Sequence, residues 1–182
     1  MVNLWDVHLS DVEVILEPGG GGKIPFQPLV QGLRAVLSVA AIEKLARQGV
    51  ALASTKAPVD ITLTGVRIVG DAIEIATHAG KGFLGADLTA RLGLSVLDGK
   101  EIRVALVGLD APKFIPVAPM LNKALVKAAE VPGVRLDPDS DRAVLIDPAA
   151  ILAQNGLPAR LGPGVWSTAV QSDSVEVAFG ES

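Results

Sequence analysis

The chain of 182 residues contains no cysteine and no tyrosine, and aromatic residues make up only 3% of it. Without cysteine there is no disulfide, no thiolate metal site and no thiol nucleophile. So few aromatic rings argue against a site that binds bases or sugars by stacking. Trp5 and Trp166 stand near opposite ends of the chain, and we interpret both as core residues.

Basic residues are also fewer than acidic residues. The chain has 16 lysines and arginines against 20 aspartates and glutamates, for a net charge of −4. Proteins that bind phosphate backbones or anionic lipid surfaces normally carry a basic patch. We therefore expect no nucleic-acid partner.

No apolar run reaches the roughly 18 to 20 residues that a membrane-spanning helix needs. The N-terminal residues 1–6 show no basic segment followed by an apolar one, which is the pattern of a signal peptide. We therefore expect a soluble chain without a transmembrane segment. It would be cytoplasmic as the sequence stands, or an envelope protein if the natural chain begins earlier.

Catalytic motifs are missing as well. His8 and His78 are the only histidines, and no serine lies in a G-x-S-x-G elbow. Gly19 to Lys23 resembles a phosphate loop, but Ile24 follows the lysine where that loop needs a hydroxyl group. We predict that the protein is not an enzyme and needs no cofactor.

Two groups of residues invite a metal interpretation. Asp137, Asp139 and Asp141 have the opening spacing of a calcium loop, but Arg142 occupies the position of its glycine. Asp6 and His8 share one strand face, but His78 is the only other histidine. We expect a solvated turn at the aspartates, a structural histidine and no metal site.

Apolar residues are abundant, at 49% of the chain with a mean hydropathy of +0.45. Such a surplus in a soluble chain can fill a core, line a groove for an apolar ligand or form an oligomer interface. An alanine- and valine-rich coding bias would raise hydropathy without any function. Composition alone leaves these alternatives open.

A short pattern occurs twice and organises the chain. Ile24-Pro25-Phe26-Gln27-Pro28 corresponds to Ile115-Pro116-Val117-Ala118-Pro119, and 115 minus 24 gives an offset of 91, half of the chain. Asp71 to Ala76 likewise resembles Asp173 to Ala178. We predict a duplicated unit of strand, proline-started helix and hairpin. The chain would be one domain, 1–182, with repeat-like halves at about 1–97 and 98–182.

Apolar periodicity assigns the elements of this unit. A period of 3.6 predicts amphipathic helices over 26–48 and from Pro116 to about Glu130. A strand over 4–16 changes phase near Ser10 and Asp11, which predicts a bulge. A three-residue loop ending in a left-handed Gly99 would set Leu94 opposite Ile102 and Leu92 opposite Val104. The predicted fold is α+β, with a long, strongly twisted antiparallel sheet wrapped around two amphipathic helices.

The Ile-Pro-x-x-Pro-Leu start of the first helix, the alternating strands, Val144 to Pro148 and Asp173 to Val177 together look like the bacterial relatives of the tubular lipid-binding (BPI-like) superfamily. That resemblance implies a curved antiparallel sheet around a long helix, with an apolar groove for acyl chains. The expected function is non-enzymatic binding of a fatty acid or phospholipid acyl chain between helix and sheet. The expected lining residues are Phe26, Leu33, Leu37, Leu92, Leu94 and Val104. The alternative is a structural or interaction protein whose apolar surplus forms a homo-oligomer interface without a ligand.

Overall fold

A computed structural model of the chain describes residues 7–18, 26–54, 60–81, 84–112, 117–154 and 160–181. These ranges form a mixed α+β fold in which strands predominate. The strands are β1 Val7–Pro18, β2 Phe26–Ser38, β3 Asp60–Val69, β4 Ala72–Lys81, β5 Leu84–Leu97, β6 Glu101–Asp110, β7 Val134–Leu136, β8 Ala143–Ile146, β9 Arg160–Leu161, β10 Val165–Val170 and β11 Ser174–Gly180. The helices are α1 Val39–Ser54, α2 Val117–Ala128 and α3 Pro148–Gln154.

The strands form two sheets. Sheet I has the order β1-β2-β11-β10, with the short β9 paired in parallel to β2. Sheet II has the order β3-β4-β5-β6-β8-β7 and is antiparallel throughout. The sheets meet where β10 contacts β5 and β6, while α1 packs against β3 and β2.

The helix predicted over 26–48 is wrong in its first half. Phe26–Ser38 is a strand that pairs with β1 on one side and with β11 on the other, and the helix begins only at Val39. Pairing on both sides satisfies the backbone of this segment, and such tertiary pairing overrides a helical pattern of side chains. Ser38 marks the start of the helix, because its Oγ accepts a hydrogen bond from the Ala41 amide at 3.2 Å.

The second predicted helix is present as α2, Val117–Ala128. The segments that follow Pro25 and Pro116 therefore differ, since the first is a strand and the second a helix. α1 contacts β2 and β3, whereas α2 contacts β7 and β8. The prediction of two equivalent proline-started helices is wrong, and the internal duplication is not confirmed.

The bulge predicted near Ser10 and Asp11 is confirmed. Asp11 has a φ of 52°, and the pairing of β1 with β2 changes register between Ser10 and Val14. After this change Val14 lies opposite the buried Val30. The bulge therefore keeps apolar side chains of β1 on the core face of sheet I.

The β5–β6 hairpin has the predicted faces but a different register. Its loop is Asp98 to Lys100, with a φ of 66° at Gly99, and Leu94 pairs with Val104 instead of Ile102. Leu92 pairs with Leu106. The loop is centred one residue later than predicted, so the pairing moves by two residues and each side chain keeps its face.

Among the described residues, two clusters of buried apolar side chains lie between the sheets. The first contains the buried Val30, Leu33, Trp166 and Phe179. The second is built on Ile42 of α1, Ile73 of β4 and Val175 of β11. Half-buried aliphatic side chains surround the second cluster: Leu37, Val66, Ile68, Ile75, Leu92, Leu94, Val170 and Val177.

Candidate ligand site

Five of the six predicted lining residues lie between the two sheets. Leu33 is buried in the first cluster, and Leu37, Leu92 and Leu94 are half-buried around the second. Val104 is half-buried on β6, opposite Leu94. Phe26 pairs with Pro18 at the start of β2, and its side chain lies outside the described part of the structure.

This placement corrects the predicted groove between the first helix and the sheet. Leu33 and Leu37 belong to β2, so they approach the other sheet from a strand instead of a helix. The apolar surfaces that face each other are therefore the inner faces of sheets I and II. Four of the six predicted residues, Leu33, Leu37, Leu92 and Leu94, belong to or pack on the two core clusters.

A cavity of about 460 Å³, here called the end pocket, lies beside the β5–β6 loop. Trp166 and Phe179, whose rings are 5.1 Å apart and inclined at 46°, line it and belong to the first core cluster. The remaining lining residues are Leu97, Asp98, Gly99, Lys100, Glu101, Asp147, Ala149, Leu161, Gly162 and Gly164. The end pocket therefore opens onto the cluster that contains Leu33.

Backbone hydrogen bonds hold the walls of the end pocket together. The Trp166 amide donates to the Gly99 carbonyl at 2.8 Å, and the Gly162 amide donates to the Val30 carbonyl at 2.9 Å. A Cβ at Gly164 would approach the Phe179 ring to 2.9 Å. Glycine at this position therefore lets the backbone lie directly against the aromatic ring.

The rim of the end pocket carries charged groups, of which two are already bonded. Glu101 accepts hydrogen bonds from Arg135 at 2.9 and 2.6 Å, and the bond from Arg135 lowers the pKa of Glu101. Asp147 accepts a hydrogen bond from the Ala150 amide at 3.1 Å, which caps α3. The Lys100 ammonium makes no ion pair within the described ranges. Lys100 is therefore a rim cation outside the ion pairs of the described residues.

An apolar row leads from the end pocket into the inter-sheet core. Leu92, Leu94 and Val96 occupy alternate positions of β5 and are all half-buried. Val96 packs on the first cluster, while Leu92 and Leu94 pack on the second. The row connects both clusters. Because its aliphatic side chains are only half-buried, part of their surface is not covered by other protein atoms.

The outer face of sheet II carries a charged row across three strands. Glu74 of β4 is opposite Arg67 of β3 and Arg91 of β5. Arg67 Nε donates to Glu74 Oε1 at 2.5 Å, and Arg91 Nε donates to Oε2 at 3.0 Å. These bonds, the one from Arg67 first, lower the pKa of Glu74. A cavity of about 250 Å³ lies over this row.

Asp137, the first of the three aspartates with calcium-loop spacing, has structural partners. The Asp137 carboxylate accepts the Asp139 amide at 3.0 Å and Arg103 Nε at 2.6 Å. The amide first, and then the guanidinium, lower the pKa of Asp137. Within the described ranges, no group of three or more histidine, aspartate and glutamate side chains could hold a metal ion.

The distal part of the β1–β2 hairpin, residues 14–18 and 26–30, is here called the arm. Val14 pairs with Val30 and Leu16 with Pro28, so these residues lie on the core face of sheet I. Val14 is nevertheless 45% exposed and Leu16 64% exposed. β11 pairs with β2 only from Leu33 onward. The arm thus extends the apolar face of sheet I beyond β11, and within it β2 pairs with the short β9 only at Leu29 and Val30.

No protein-family model, curated protein or solved structure matches the chain in the three comparisons made. In the ranges that the structure describes, no helix is both long enough and apolar enough to cross a membrane.

The periodicity of the sequence indicated the inner faces of the strands but gave no indication of the end pocket. Trp166 and Phe179 come from the last hairpin and Lys100 from the β5–β6 loop, so their proximity depends on pairing between distant strands. A usable signal was the scarcity of aromatic residues, because two of the six come together at one site. The charged row was also visible in part, since Arg67, Glu74 and Arg91 interrupt alternating apolar strands.

Proposed function

We propose that the protein binds a single acyl chain, without catalysis, in the end pocket and along the inner face of β5. The observation that carries the proposal is the end pocket itself, an aromatic-lined cavity of about 460 Å³ that opens onto the apolar core. Ligand pockets typically have volumes of about 300 to 1,000 Å³ and mostly apolar linings with a few polar groups. This is also the function that the resemblance to tubular lipid-binding proteins implies.

The bound chain would enter past Leu97 and contact Trp166 and Phe179. Its tail would then follow Val96 toward Leu94, covering side chains that are half-buried in the protein alone. Each methylene group removed from water favours binding by about 0.8 kcal/mol. Aliphatic side chains suit such a tail because they can adapt to a flexible, unbranched chain.

The head group would remain at the rim, where the Lys100 ammonium lies beside the pocket. Asp98 stands at the same rim, so a carboxylate or phosphate would have to approach Lys100 on the side away from it. The proposal therefore predicts that Lys100→Gln weakens binding of a fatty acid more than binding of the fatty alcohol of equal length. Titration of both compounds against both proteins measures this difference.

A fluorescent fatty acid, titrated at micromolar concentration, tests the site directly. Leu97 is 38% exposed at the pocket mouth, and Leu97→Trp should reduce affinity at least tenfold by filling the entrance. Leu136→Trp is the matched control, because Leu136 is 44% exposed on β7 of the same sheet and does not line the end pocket. Absence of binding by the parent protein, or equal binding by both variants, would contradict the proposal.

The arm supports a second candidate function, self-association through a second copy of the chain. Val14 and Leu16 project from the core face of sheet I, whereas Ile15 and Glu17 alternate onto the opposite face. Two arms packed with these core faces together would bury apolar side chains and keep the Glu17 carboxylates apart. A two-fold arrangement would cover both copies of the exposed strip at once.

Light scattering after size-exclusion chromatography, over a range of loading concentrations, tests this candidate. The parent protein should show a dimer that Leu16→Glu converts to a monomer. Ile15→Glu provides the control, because it introduces the same charge on the other face of the same strand. A parent that is monomeric at every concentration would exclude the candidate and leave the arm without an assigned partner.

A further inference from the structure

The charged row on the outer face of sheet II has more positive than negative groups. The Glu74 side chain is only 3% exposed, yet the Arg67 and Arg91 side chains that cover it are 73% and 57% exposed. One carboxylate balances one of the two guanidinium groups. The row alone therefore carries a net charge of +1 at the surface.

Arg91 retains donors that are free to bind a ligand. Its Nε donates to Glu74 at 3.0 Å, while its two terminal amino groups have no hydrogen-bond partner in the described part of the chain. Arg91 pairs with Gly108 across β5 and β6, and a Cβ on that glycine would lie 3.4 Å from Arg91 Cδ. Because Gly108 has no side chain, there is space beside it for the extended Arg91 side chain and for a cavity.

This cavity, of about 250 Å³, is lined by groups of both charges. Arg67, Glu74 and Arg91 lie at one side, and Asp110 with Thr89 completes the polar lining. Thr89 pairs with Asp110 across β5 and β6, and this pair lies two residues along each strand from the pair of Arg91 and Gly108. They therefore share the outer face with the arginines. The register of β6 shifts next to Arg91, and such bulges are frequent beside functional sites.

We propose that this cavity binds a small zwitterion in which a carboxylate or phosphate group lies next to an ammonium group. The oxyanion would accept hydrogen bonds from the terminal amino groups of Arg91 and from Arg67, because planar guanidinium groups match oxyanions in geometry and charge. The ammonium would pair with Asp110, and the Thr89 hydroxyl would bond to either group. Glu74 acts as the positioning residue that holds both arginines.

The hydrogen bonds that Glu74 accepts make this arrangement rigid before a ligand arrives. They also lower the pKa of Glu74, which favours the charged carboxylate that holds both arginines in place. Prior organisation of long side chains reduces the entropy that binding would otherwise cost. The site is separate from the end pocket, since the two cavities have no lining residue in common.

Isothermal titration calorimetry of the full chain with phosphoethanolamine and with β-alanine tests the proposal. At least one of these zwitterions should bind, and Arg91→Gln should lower its affinity at least tenfold. Asp110→Asn should weaken binding of the zwitterion but not of inorganic phosphate, because only the ammonium contact is lost. Arg91→Lys keeps the charge beside Glu74 and should also weaken binding, since lysine lacks the planar fork.

Arg135→Gln is the matched control. Arg135 is likewise a half-exposed arginine bound to a glutamate, Glu101, but it does not line this cavity. Its affinity for the zwitterions should equal that of the parent, and circular dichroism confirms that each variant is folded. Lack of binding by both zwitterions, or an equal loss in Arg91→Gln and Arg135→Gln, would overturn the proposal.

Discussion

Three carboxylates, Glu74, Glu101 and Asp137, have pKa values that the fold lowers through particular hydrogen bonds. Arg67 and Arg91 bind the first, Arg135 binds the second, and the Asp139 amide with Arg103 binds the third. A carboxylate whose pKa is lower in the folded state stabilises the fold above its unfolded-state pKa. That stabilisation is lost as the pH falls through the lowered, folded-state value.

Substitution of Glu74 should therefore reduce the acid sensitivity of the protein. In the parent, the urea midpoint should fall as the pH drops below the ordinary glutamate pKa of 4.5, and in Glu74→Gln it should fall less. Urea unfolding from about pH 6 to about pH 3 measures both curves. Asp71→Asn, at an exposed position in the β3–β4 turn, serves as the control. Parallel curves for Glu74→Gln and the parent would show that this carboxylate contributes no acid-dependent stability.

At the scale of elements, the segment that ends at the junction of β2 and α1 has a helical pattern of apolar residues but forms a strand through tertiary pairing. Phe26–Ser38 has helical spacing of apolar residues but pairs with β1 and β11. The Ser38 hydroxyl then caps the helix through the Ala41 amide at 3.2 Å. The strand ends and the helix begins at this residue because the cap satisfies an amide that has no partner within the helix.

Loss of this cap should be measurable. Ser38→Ala should reduce the free energy of unfolding by about 1 kcal/mol, the usual cost of removing an N-cap side chain. Ser95→Ala, on an exposed position of β5, should change it by less than about 0.5 kcal/mol. If urea unfolding gives the same value for both variants, Ser38 does not set the start of α1.

The inward face of the β5–β6 hairpin provides a second test at this scale. Leu92→Asp places a charge among the aliphatic residues around Ile73 and Val175, and it should destabilise the protein by about 2 to 4 kcal/mol. Ser95→Asp adds the same charge to the exposed face of the same strand. A Leu92→Asp protein as resistant to urea as Ser95→Asp would mean that the two faces of β5 are assigned the wrong way round.

For the molecule as a whole, the sequence predicted the local features and missed the long-range ones. The α+β class, the bulge at Asp11 and the loop at Gly99 follow from alternation and turn residues within a few positions. The pairing of β2 with β11, which places Arg34 Nη2 2.6 Å from a Glu176 carboxylate oxygen, joins residues 142 positions apart. Local periodicity contains no information about such a partner, and the strand character of Phe26–Ser38 depends on it.

The same limit applies to the candidate sites. Leu92 and Leu94 could be assigned to an inner face because strand alternation is local. Trp166 and Phe179 could not be placed beside Lys100, because that proximity requires the two sheets to pack together. Likewise, the cavity beside Arg91 requires Gly108 and Asp110 to come into register on β6.

Native mass spectrometry of the full chain, purified gently without detergent, tests the acyl-chain proposal most directly. We expect a population of protein whose mass exceeds that of the chain by one acyl lipid per copy. Leu97→Trp should lack this population, and Leu136→Trp should retain it. A parent protein found only at its bare mass, which also fails to take up added fatty acid, would show that the end pocket does not bind an acyl chain.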